Sequence, residues 1–230
     1  MVLRATSAAS ICVAIVVLIS ASGCAPRLAI YDWPIAFDQE RVTLSREYAQ
    51  RHYDVDASNI EIVPRVIVLH WTAIGTLAES FEAFDPVRLP AVRSGIASAG
   101  DVNVSIHFLV DRDGIVYQLM PDTWMARHCI GLNYVSIGIE NVGGVNSVDD
   151  LTKAQIRANA GLVRRLAERH PSIEYLIGHY ENLLFEGHPL WMEKDDGYRT
   201  EKVDPGARFM TAVRERVADL GLRRPPSGPR

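Results

Sequence analysis

The sequence predicts a single α/β domain in which a central mixed β-sheet is flanked by helices. Three observations carry that expectation. Residues 63–70 and 135–142 are rich in β-branched and apolar side chains, with the unbroken apolar character of strands covered on both faces. Residues 105–110 and 115–119 flank Asp111-Arg112-Asp113-Gly114, a turn sequence that folds two strands back as a hairpin. Amphipathic stretches at 149–170 and 208–220 carry their apolar residues at helical spacing.

Taken in order, residues 1–23 combine Arg4, an apolar run at 11–19 and then small residues, which is the composition of a secretory signal. The small residues of SASGC lead into Cys24 and resemble the lipobox of bacterial lipoproteins, where such a cysteine is lipidated and becomes the first mature residue. Ala21 stands where leucine is usual, and plain secretion with cleavage near Gly23 is the alternative. Residues 24–62 read as a tether and a leading segment with helical periodicity at 44–52, in which Trp33, His52 and Tyr53 are packing or surface residues. The main domain is expected over 63–222 and a flexible tail over 223–230. A short helix is expected at 77–84, a long Pro- and Gly-containing loop at 85–103, and a polar and aromatic loop at 121–134 with Trp124, Arg127, His128 and Asn133. In the helix at 149–170, Thr152 and Gln155 form a capping box, and Ile156, Ala160, Val163 and Leu166 make the core-facing stripe. A last short strand at 175–177 runs into Gly178-His179.

Composition excludes whole classes of function. A net charge of −4 argues against nucleic-acid binding, and 48% hydrophobic residues argue against disorder. After removal of a signal only Cys129 remains in the domain, so disulfides do not staple it.

Chemistry concentrates at strand ends and in one turn. His179 closes a strand, and Asp204 lies in the rigid turn Lys202-Val203-Asp204-Pro205-Gly206. A histidine and an aspartate so placed suit a metal that takes nitrogen and oxygen ligands at about 2.0–2.2 Å, and a third ligand leaves one position open. His70, at the end of the apolar run VIVLH, is the upstream candidate, with a hydrogen-bonded strand-end histidine as the plain alternative. Glu140 is a carboxylate inside the apolar strand SIGIE, where it needs a cation or donors nearby. His107, inside another apolar strand, reads as a supporting residue.

VIVLHWTA, SIHFLVDRDG, RHCIG, SIGIE, IGH and KVDPG occur in the order seen in type 2 N-acetylmuramoyl-L-alanine amidases, and the chain resembles that family from about residue 63 to 220. The resemblance implies the peptidoglycan-recognition and amidase fold, one Zn2+ held by His70, His179 and Asp204, and catalytic roles for Glu140 and Lys202. It further implies substrate contacts at His128, Asn133 and Trp71, with peptidoglycan or muropeptides as partner and the bond from muramic acid to L-alanine as target. Two departures stand out. His188, in the long link from His179 to Lys202, is a rival ligand, and Arg127-His128-Cys129-Ile130-Gly131 replaces the usual Trp-His-Ala-Gly. The link at 180–201, with Phe185, Trp191 and Tyr198, is a candidate wall of the substrate groove. A lipid at Cys24 implies attachment to the outer membrane, facing the periplasm. The other reading of the same resemblance is a recognition protein that binds muropeptides without cutting them. No helix carries His-Glu-x-x-His, which disfavours the common zinc-endopeptidase arrangement.

Overall fold

A computed structural model describes residues 28–227. Strands β1 (Ile30–Asp32), β2 (Val66–Leu69), β3 (Phe108–Val110), β4 (Val116–Gln118), β5 (Ser136–Asn141) and β6 (Tyr175–Gly178) form one sheet in the order β1-β4-β3-β5-β2-β6. The β3–β4 hairpin is antiparallel and every other pairing is parallel, so the sheet is mixed, as expected. Four helices flank it: α1 (Gln39–Tyr53), α2 (Leu77–Phe84), α3 (Lys153–Arg169) and α4 (Ala207–Arg216). The expected signal segment at 1–23, Cys24 and the last three residues lie outside the described residues.

The sheet is apolar on both faces because both are covered. Ile67, Leu69, Ile137 and Ile139 pack with Ile156, Val163 and Leu166 of α3 and Phe209 and Val213 of α4. Val66, Val68 and Ile177 on the opposite face pack with Leu132 and Phe185. α1 joins that side through Leu44, Tyr48 and Tyr53, against Met125 and Ile130. The capping box of α3 is present: Thr152 Oγ1 accepts the Gln155 N–H at 3.1 Å, and Gln155 Oε1 accepts the Thr152 N–H at 2.9 Å.

Three stretches differ from expectation. The segment read as a tether contributes β1, only three residues long and partly exposed, which shows no alternating pattern and forms by pairing with β4. The loop expected at 85–103 contains a 3-10 helical stretch, Ala91–Ala99, kinked at Arg93. Arg223, where a free tail was expected to begin, instead pairs with the outer edge of β6. Leu176 N–H donates to Arg223 O at 3.1 Å, and Arg223 N–H donates to Glu174 O at 2.8 Å.

Candidate active site

Strand register assembles the site. Leu69 stands opposite Ile139 on one side and Gly178 on the other, so the next residues, Glu140, His70 and His179, leave three adjacent parallel strands side by side. Neighbouring strands run about 4.8 Å apart, which puts the three side chains within reach of one another at the C-terminal end of the sheet. Two backbone bonds fix His70 there: its N–H donates to Ile139 O at 2.8 Å, and its carbonyl accepts the Asn141 N–H at 3.2 Å. The same carbonyl accepts Asn141 Nδ2–H at 3.0 Å, and Asn141 is held by Asn159 of α3 at 2.6 Å. Asp204 arrives from the turn before α4, tied down where the Tyr180 N–H donates to its carbonyl at 3.0 Å.

His70, His179 and Asp204 are all buried and offer converging atoms that could hold a metal ion. His70 Nδ1 lies 3.0 Å from His179 Nδ1 and 3.2 Å from Asp204 Oδ2, and His179 Nδ1 lies 3.1 Å from the same oxygen. Donor atoms about 2.0–2.1 Å from a tetrahedral ion stand about 3.3 Å from one another, close to this triangle. One proton cannot satisfy two ring nitrogens and a carboxylate oxygen meeting at one point, whereas a divalent cation can. The electrostatics agree with that donor set. Burial, with His179 beside it, pushes His70 down to about 4 and leaves it neutral, as a metal ligand must be. Burial would raise Asp204, but the facing His179 and His70 outweigh it and hold the carboxyl below its usual range.

The cluster opens on a cavity of about 260 Å³ whose lining includes Glu140, Lys202, Trp71, Arg93 and His128. Burial pushes Glu140 well above the ordinary glutamate range, Asp204 adds to the rise, and Arg93 and Lys202 oppose it. Among the described residues Glu140 Oε2 is buried without a hydrogen-bond partner. That is an expensive arrangement unless the atom is kept for a reaction. Lys202 is half-buried on the same wall, two residues before Asp204.

Other expected residues take different places. His188 does not join this cluster: its ring packs on Tyr175 and Phe185, with Nε2 3.4 Å from the Tyr175 hydroxyl. Asn133 was expected to contact substrate, yet every polar atom of its side chain is engaged internally. Its Oδ1 accepts the N–H groups of His128 and Cys129 at 2.8 and 2.6 Å, and its Nδ2 donates to the hydroxyls of Tyr53 and Tyr48 at 2.7 and 3.3 Å. Trp71 is buried beneath Gly144, where a Cβ would lie 2.2 Å from the indole, and it contributes to the cavity lining. His107, expected to play a supporting role, has both ring nitrogens engaged: Nδ1 accepts the Gly138 N–H at 3.0 Å and Nε2–H donates to Trp124 O at 2.8 Å. In the link at 180–201, Phe185 is core, while Tyr198 lines a recess of about 60 Å³ beside His179 and Lys202.

Several residues support the site in ways that the sequence does not mark. Arg127 spends its buried guanidinium on the carbonyls of Val102, Gly100 and Ile96 at 2.6, 3.0 and 2.7 Å, which pins the 3-10 stretch over the cavity. His52, read as packing or surface, is fully buried between Glu193 Oε1 and Ala99 O, each at 2.8 Å, and so links α1 to both covering segments. Arg93 reaches the cavity from the kink in that stretch, inside a loop whose composition marks no position as special.

A family profile for N-acetylmuramoyl-L-alanine amidase matches residues 61–207, well over half of the chain and inclusive of every residue in the cluster. The chain belongs to this amidase family. Among solved structures it is similar to the N-acetylmuramoyl-L-alanine amidase LysC from Clostridium intestinale URNW. Identity is 18% over 85% of this chain and 99% of that one, with a TM-score of 0.51, a likeness that establishes the fold. A selenomethionine derivative of AmpD is 22% identical over 82% of this chain and 94% of that one, with a TM-score of 0.49. Bumblebee PGRP-SA is 18% identical over 81% of this chain and 94% of that one, with a TM-score of 0.47. A search of curated protein sequences gives no significant match.

Proposed function

We propose that this amidase-family protein hydrolyses the amide joining the lactyl group of N-acetylmuramic acid to L-alanine, in peptidoglycan or muropeptides, with one zinc ion at His70, His179 and Asp204. The observation that carries the reading is the triangle of three donor atoms at 3.0–3.2 Å, with a half-buried glutamate in the same cavity whose buried Oε2 has no partner among the described residues. When bound, zinc supplies Lewis acidity toward the scissile carbonyl and brings the pKa of water toward about 7. Glu140 Oε2 then takes a proton from the attacking water as the new C–O bond forms, and passes it to the leaving alanyl nitrogen as the C–N bond breaks. Lys202 donates from Nζ to the oxyanion of the tetrahedral intermediate. The covering segments around Arg93 and Tyr198 narrow the approach and exclude bulk water, which strengthens both interactions.

Mass spectrometry of purified muropeptides incubated with the protein tests this. Release of free stem peptide, lost with a zinc chelator and regained on adding zinc, is the expected result. Muropeptides bound but left intact by zinc-loaded protein would replace the hydrolase reading with the recognition reading. Location forms part of the proposal: the lipobox-like SASGC supports a lipid at Cys24, holding the catalytic domain at the outer membrane, facing the periplasm, for wall remodelling and recycling.

A further inference from the structure

We infer that His128 is a positioning residue that keeps the proton of His70 on Nε2, so that the Nδ1 lone pair faces the metal. The inference follows from a hydrogen-bond chain whose direction is set by its last member. Ser136 Oγ lies 2.7 Å from Leu132 O, and a carbonyl only accepts, so the serine proton is committed there. Ser136 Oγ also lies 3.2 Å from His128 Nε2 and must accept at that contact, which places the His128 proton on Nε2. His128 Nδ1 is then bare, and it lies 3.0 Å from His70 Nε2, which must donate. His70 Nδ1, facing His179 and Asp204, is left as a lone pair.

The competing arrangement is visible in the same site. Without a cation, Asp204 Oδ2 at 3.2 Å from His70 Nδ1 would draw the proton to that nitrogen, where it would obstruct metal binding. His128 opposes that pull from the other side of the ring. Space for it is built into the sheet. Ser136, Gly138 and Glu140 alternate on the site face of β5, and the imidazole lies over Gly138, where a Cβ would stand 2.7 Å from Nδ1 and 2.9 Å from Cε1. Both ring nitrogens being engaged, His128 is not free for the substrate contact that the family resemblance implies.

The inference rests on the proposed metal set, but its first readout needs no metal. Nitrogen-15 NMR of the imidazoles in metal-stripped protein at pH 8 should show His70 protonated at Nε2 in the wild type and in His128→Asn, whose Oδ1 supplies an acceptor where Nδ1 stood. In His128→Leu the proton should move to Nδ1. Cobalt or zinc titration should show affinity about 10–100-fold weaker in His128→Leu, with His128→Asn recovering most of the loss. A metal-stripped wild type with His70 protonated at Nδ1 would overturn the inference. So would a His128→Leu protein that binds cobalt like the wild type while KM for muropeptides rises. If muropeptides are never cleaved, the hydrolase reading fails while the tautomer result still decides this one.

Discussion

Replacing Glu140 by Gln exchanges a half-buried carboxylate for a neutral isostere, and its effects on turnover and stability run in opposite directions. Glu140 Oε2 has no hydrogen-bond partner among the described residues, and burial beside Asp204 raises its pKa well above the ordinary value. A carboxyl whose pKa is raised by folding binds more protons in the native state than in the unfolded one. Stability therefore falls as pH climbs from the ordinary glutamate range through the raised value. In the amide variant that penalty is absent. In chelator-stripped protein, Glu140→Gln should match the parent near pH 4 and exceed it at pH 8 by about 1.4 kcal/mol for every unit by which folding raises the carboxyl, because the amide shares the missing hydrogen bond but not the charge. For a domain of this size each such increment is a rise in Tm of about 3–6 °C. Turnover of zinc-loaded protein should fall by about 10²–10⁴-fold, the range of a lost general base, with zinc stoichiometry unchanged. Thermal melts across pH and initial rates on muropeptides measure both. A variant that keeps turnover within tenfold of the parent, or melts that coincide at every pH, would refute the assignment of Glu140 as a base with a raised pKa.

Lys202→Ala should lower kcat by about 10²–10³-fold, as expected for a lost oxyanion donor, while zinc content measured by atomic absorption stays at the parent level. Arg127→Ala strips donors from the carbonyls of Ile96, Gly100 and Val102. It should cost about 3 kcal/mol or more in urea unfolding and expose residues 91–100 to limited proteolysis. Cys24→Ala should move the protein from the membrane fraction to the soluble fraction, or stop its processing, and unchanged fractionation would remove the anchor from the proposal.

The residues at the strand ends were legible because an isolated polar group after an apolar run conflicts with its surroundings unless it serves a site. His70, Glu140 and His179 all carry that conflict, and the structure sets them side by side. Their adjacency was not legible. β5, β2 and β6 neighbour one another out of chain order, and parallel register leaves no local mark in a sequence. The loops were harder for a different reason. Arg127 and Asn133 sit in a polar and aromatic loop of the sequence, and Asn133 matches a substrate contact of the resembled family, yet both hold backbone amides and carbonyls of their own domain. A polar side chain in a loop has the same identity whether it faces a ligand or the protein's own backbone. β1 escaped notice because three residues are too few to show a period. His188 drew attention as a rival ligand only by residue type, and its ring packs against Tyr175 rather than joining the cluster.

The central claim is that a water molecule, activated beside Glu140, opens the bond between the lactyl carbonyl and L-alanine. Digestion of muropeptides in oxygen-18 water, followed by mass spectrometry of both products, tests it most directly. The account predicts one heavy oxygen in the lactyl carboxylate of N-acetylmuramic acid and none in the released stem peptide. Label in a peptide carboxylate, or no cleavage by zinc-loaded protein, would contradict it.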